Sequence, residues 1–133
     1  MADVLPEEMI TRYVIDKSQM AGHGKVRFSA FMPKDGKKSI YRISHPDLSE
    51  TEIWTIGQDY VATPRSKTLR GRADLKAVAV YDEGLSFDPN GVPHPRHANI
   101  VGWPESTPDS DTDAQELIAI KLALAATLHK KPT

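Results

Sequence analysis

The sequence predicts an α+β fold: an antiparallel β-sheet built from hairpins and packed by a central helix and a C-terminal helix. Three observations carry this expectation. They are a strand–turn–strand pattern over residues 26–43, a capping box that opens an apolar stripe at Ser49, and a broad apolar stripe from Ala114 to Lys130. Strands joined by short turns, with helices on one face of the sheet, belong to this class.

Residues 1–8, with Pro6 and two glutamates, read as a frayed start. Met9 to Ile15 holds Ile10, Thr11, Tyr13, Val14 and Ile15, a β-branched and aromatic run that favours a strand. A helix begun by Pro6 and two acids, with Ile10, Tyr13 and Val14 on one face, competes with it. Residues 16–24 form a loop ending in Gly22-His23-Gly24. Val26, Phe28, Ala30 and Met32 then alternate with Arg27, Ser29 and Phe31, the two-residue period of a strand. Asp35-Gly36 supplies turn residues tolerant of positive φ, and Ser39–Ile43 is expected to return and pair.

Ser49-Glu50-Thr51-Glu52 has the reciprocal donors and acceptors of a capping box. The helix is expected to run past Ile53, Ile56 and Tyr60 and stop before Pro64, with Gly57 inside it at a cost of about 1 kcal/mol relative to alanine. Gly57 either permits close packing against a strand or frays the helix. Pro64–Gly71 is a basic connector bearing Arg65, Lys67 and Arg70, followed by Arg72. Ala73–Tyr81 reads as a strand, Asp82-Glu83-Gly84 as a turn and Leu85–Phe87 as a short return. Prolines make residues 88–98 extended. Ile100–Trp103 is a core strand or a packed turn. Residues 105–113 form a polar linker, and Ala114–Lys130 is the C-terminal helix, its negative end complemented by His129, Lys130 and Lys131.

The 133 residues suit one domain with its own core. Basic and acidic residues number 17 and 18, so overall charge argues neither for nucleic acid nor for an anionic membrane. The absence of cysteine excludes disulfides, thiolate metal sites and cysteine nucleophiles. The N-terminus lacks a signal-peptide pattern, and no apolar run reaches the ~20 residues of a membrane span. The expected location is the cytoplasm.

The densest chemistry is His94-Pro95-Arg96-His97-Ala98-Asn99. Arg96 suits a phosphate, His97 suits proton transfer near neutral pH, and Asn99 adds an amide. His94, His97, Arg96 and Asn99 are therefore the catalytic candidates. Arg96, His97, Asn99, Arg70 and Arg72 are the ligand-binding candidates. Structural anchoring of a proline-stiffened crossing is the preferred alternative. His94 and His97 with an acid such as Asp88 fall short of a metal-site pattern, and no metal or cofactor is expected. No Gly-x-Ser-x-Gly elbow singles out a serine among Ser39, Ser44, Ser66 and Ser86.

Four stretches, Phe28–Pro33, Ser39–Ile43, Glu52–Gly57 and Pro95–Pro104, together resemble a pattern of small uncharacterised bacterial proteins. The resemblance implies a bacterial cytosolic protein and carries no activity with it. The leading expectation is a non-enzymatic binding or interaction domain with a protein partner. One alternative is a phosphate-ligand binder or small hydrolase or transferase using Arg96, His97 and Asn99. Another is a nucleic-acid module using Arg65–Arg72, a patch that Arg12, Arg27 and Arg42 extend if they share a sheet face.

Overall fold

A computed structural model describes residues 2–44, 47–105 and 112–132. Among them, six strands form one antiparallel sheet: β1 (Met9–Val14), β2 (Lys38–Arg42), β3 (Gly71–Lys76), β4 (Ser86–Asp88), β5 (His97–Val101) and β6 (Thr127–Lys130). Their order is β4-β5-β2-β1-β3-β6, so the first strand lies inside the sheet and the last forms an edge. Three α-helical segments accompany them: α1 (Glu50–Gly57), α2 (Val78–Tyr81) and α3 (Thr112–Ala125). No helix among the described residues is long and apolar enough to cross a membrane.

Alternation along the strands divides the apolar residues between two faces. Ile10, Val14, Ile40, Ala73, Leu75, Ala98 and Ile100 share one core with Phe31 and with Ala119 and Leu122 of α3. Tyr13, Tyr41 and Ile43 share the other with Ile53 and Ile56 of α1. Helices therefore cover both faces, where hairpins alone suggested one.

The Ser49 capping box is present, with both reciprocal bonds at 3.2 Å. After α1 the helix widens into a π turn at Gln58–Ala62 and ends near Arg65. Gly57 lies against β1, where a Cβ would stand 2.5 Å from the Tyr13 ring. Close packing is thus the role of this glycine.

Several local expectations need correction. Val26 makes one bridge to Met20, and Phe28–Phe31 is a 3-10 turn rather than a strand. Val26, Ala30 and Phe31 are the buried members, a helical rather than a two-residue spacing. The Asp35-Gly36 turn does form, both residues having positive φ, but β2 pairs with β1 and β5 instead of with residues 26–32. The strand expected to reach Tyr81 stops at Lys76. Ala77 and Val78 there donate to the Glu8 and Pro6 carbonyls, and α2 begins.

Residues 2–8 are anchored rather than frayed. Val4 is buried, its carbonyl accepts from the Tyr81 hydroxyl, and Glu8 pairs with Arg42 at 2.8 Å. At the other end α3 stops at Ala125, and residues 127–130 become β6 against β3. That strand buries Leu128 and pairs β3's outer edge. His129 and Lys130 therefore lie on a strand. Lys25 Nζ instead reaches the helix-end carbonyls of Leu124 and Ala126, at 2.9 and 3.4 Å. Most of the expected 105–113 linker, residues 106–111, lies outside the described residues.

Candidate functional site

β5 begins at His97, and its register against β2 sets the site. Tyr41 pairs with His97, and Ser39 with Asn99. Directly paired residues project to the same face. Ser39, Tyr41, His97 and Asn99 therefore form one polar patch on the α1 side of the sheet. Across β5, Asp88 of β4 pairs with Asn99.

His97 is buried and both ring nitrogens are engaged. Nδ1 lies 2.8 Å from Asn90 Oδ1, and Nε2 lies 2.6 Å from Ser39 Oγ. The Val92 amide also donates to Asn90 Oδ1, at 3.2 Å, which fixes the amide oxygen toward the ring. An amide oxygen only accepts, so Nδ1 carries the proton and Nε2 accepts from the Ser39 hydroxyl. Tyr41 meets the His97 ring edge-on at 5.2 Å between centroids. Burial lowers the proton affinity of His97, as do the charges of Arg12 and Lys37, while Asp88 opposes them. The neutral imidazole is thereby favoured at neutral pH.

Cations gather beside this chain of hydrogen bonds. β1 and β2 pair at Ile10–Arg42 and Thr11–Tyr41, with one more backbone bond from the Ile43 amide to the Met9 carbonyl at 3.0 Å. Just beyond, Arg12 Nη1 donates to the Ser39 carbonyl at 3.1 Å, and the buried Arg12 Nε has no partner. Burial and the nearby Arg65 charge bring the Arg12 pKa down to about 10. Burial, Arg12 and Arg65 bring Lys38 down to about 7. Among the described residues, no carboxylate lies within ion-pair distance of Arg12, Lys38 or Arg65. Asp16, whose charge reaches Arg12, stands 3.8 Å from Lys67.

The remaining candidates divide. Asn99 is buried beside Ser39, and no side-chain hydrogen bond holds it among the described residues. His94 packs against Tyr60 and accepts from the Arg96 amide at 3.0 Å, which makes it an anchor. Arg96 lies 3.9 Å from Asp47. Neither Arg96 nor His97 is spent on a backbone carbonyl. Arg72 is committed to the fold: its guanidinium bonds Glu50 twice at 3.0 Å, reaches Asp74 at 3.2 Å and lies over Trp54. Arg70 belongs elsewhere, lining a shallow cavity of about 450 Å³ with Lys17, Lys130 and Lys131. Among the described residues, no three histidines or carboxylates converge to hold a metal ion.

No protein-family model, curated protein or solved structure matches this chain. The site is therefore read from its own chemistry. Sequence reading singled out His97 and Asn99, named Ser39 only as one serine among several and Arg12 only as an extension of a basic patch, and missed Asn90 and Lys38. Arg12 had left one signal, as the lone charge inside an apolar, β-branched run.

Proposed function

We propose that this chain binds a small anionic ligand, bearing a phosphate or carboxylate, against Arg12, Lys38 and Ser39. One observation carries the reading: half-buried cations converge with no carboxylate paired to them among the described residues. Burying a charge without a counter-charge is costly, and an arriving anion relieves that cost. The Ser39 carbonyl, which Arg12 Nη1 reaches, lies at the same place, while the Ser39 hydroxyl and the Asn99 amide project from the α1 face of the sheet.

Two other readings keep one observation each. Lys17, Arg70, Lys130 and Lys131 around one cavity suit a phosphate backbone or a second anion. Phe28, Ile120 and Leu124, exposed around a shallow apolar cavity of about 310 Å³, suit a protein partner.

A thermal-shift experiment tests the anion reading. Inorganic phosphate at constant ionic strength is expected to raise Tm by roughly 3 °C over chloride, the size of shift that mass-action binding gives. Lys38→Met and Arg65→Met should each abolish the shift, and Arg70→Met should retain it. Equal Tm in phosphate and chloride removes the proposal. Loss of the shift in Arg70→Met alone moves the anion to the other cavity.

A further inference from the structure

We infer that Ser39 is a nucleophile, activated by His97 and oriented through Asn90, and that the domain hydrolyses small esters carrying an anionic group. The substrate class rests on the anion reading above; the nucleophile rests on the hydrogen-bond geometry alone.

Asn90 Oδ1 is fixed by two donors, Val92 N–H and His97 Nδ1–H. His97 Nε2 is consequently bare and aimed at the Ser39 hydroxyl, 2.6 Å away. This is the arrangement a serine needs to lose its proton while attacking a carbonyl: a base within hydrogen-bond reach, held by a third group. Tyr41 packing restrains the ring from the side. Ser39 is half-buried, and Lys37, Asp88 and Asn90 around it are exposed. A small ester would approach Oγ along this rim.

The steps balance. Ser39 Oγ bonds to the ester carbonyl carbon as its proton passes to His97 Nε2. The tetrahedral intermediate collapses, the carbon–oxygen bond to the alcohol breaks, and the alcohol leaves with the proton from Nε2. Water then attacks the acyl-serine and gives its proton to Nε2. Ser39 leaves as the hydroxyl after recovering that proton, and the product acid is released. Asn99, paired with Ser39 on the same face, is the neighbouring uncommitted amide donor for the developing oxyanion. Burial lowers His97's proton affinity, with Arg12 and Lys37 adding to it and Asp88 opposing. Acylation is therefore expected to rise with pH through a midpoint below the ordinary histidine value.

The test uses the full chain with p-nitrophenyl acetate and with the mono-p-nitrophenyl ester of succinate. Intact mass and peptide mapping are expected to show one acyl group, on Ser39, formed at least about 10-fold faster from the succinate ester. His97→Gln should slow acylation by about 100-fold or more, the usual contribution of a general base. Asn90→Asp, which keeps an acceptor at Nδ1, should retain acylation and move its pH midpoint upward, because a carboxylate favours the imidazolium. Mapping is done on the native protein, so the result does not depend on Ser39→Ala folding. Adducts confined to lysines, or none, overturn this inference while leaving any phosphate-induced Tm shift untouched. Equal rates for the two esters, with the adduct on Ser39, overturn the anionic substrate class instead.

Discussion

Lys38 shows how a single residue can tax the fold. Its pKa falls from 10.5 to about 7 because burial, Arg12 and Arg65 all disfavour the ammonium. The unfolded chain holds that proton up to about its ordinary pKa, while the folded chain releases it above about 7. Lys38 therefore costs most stability below pH 7, and the cost fades as pH rises toward 10.5. Lys38→Met, similar in length and uncharged, is expected to stabilise the protein by about 1–2 kcal/mol at pH 6.5, less at pH 9.5, in urea unfolding. An equal gain at both values would show that the charge is not what costs. A site that destabilises its own scaffold is a common mark of function. This residue was not legible in the sequence. Nothing local distinguishes Lys38 from Lys34 or Lys37, and only the pairing of β2 beside Arg12 gives it a different environment. His97 was legible as chemistry but not as geometry, because its partners lie 7 and 58 residues away in the chain.

Elements whose signals are local were readable. The capping box needs only four residues, and it fixes where α1 starts. The β1 run also declared itself, since β-branched and aromatic residues suit a half-buried pleated surface. Elements decided by distant partners were not readable. Residues 26–32 alternate like a strand, but α3 packs where a sheet neighbour would need to be. Thr127–Lys130 continues a helical composition, but the outer side of β3 is available for pairing. Gly57 joins the two cases, since its place in the helix was visible and its contact with Tyr13 was not. Gly57→Ala gains about 1 kcal/mol of helix propensity. It also drives a methyl group into a ring that is buried and held at its hydroxyl by the Ile53 carbonyl. Overpacking of that kind costs about 1–3 kcal/mol, so a net loss is expected in thermal unfolding. A neutral or stabilising result would mean that the Tyr13 ring gives way.

At the scale of the molecule, the sheet consists of two three-stranded parts, β4-β5-β2 and β6-β3-β1. Six paired positions join β1 to β3, and four join β2 to β5. The two parts meet in a short ladder of two paired positions and the Ile43–Met9 backbone bond, with Arg12 reaching across where the ladder ends. Both apolar cores span this line, so the parts are packed together more firmly than they are hydrogen-bonded. The class of fold was legible from the sequence because strand and helix periods reflect burial. The strand order was not, because it depends on which distant edges meet.

That short ladder has a consequence in time. A seam with few backbone bonds is where local opening precedes global unfolding. Amide hydrogens that bridge β1 and β2 should exchange with deuterium faster than those bridging β1 and β3, although all belong to the same strands' neighbourhood in the sheet. An anion held between Arg12 on one side and Lys38 on the other would fasten the seam. Phosphate should then slow exchange there first and leave the β1–β3 amides nearly unchanged; uniform slowing throughout the sheet would show that the seam is no weaker than its surroundings. Occupancy of the site would thus be recorded in the breathing of the backbone, a clock that runs whether or not any ester is ever cleaved.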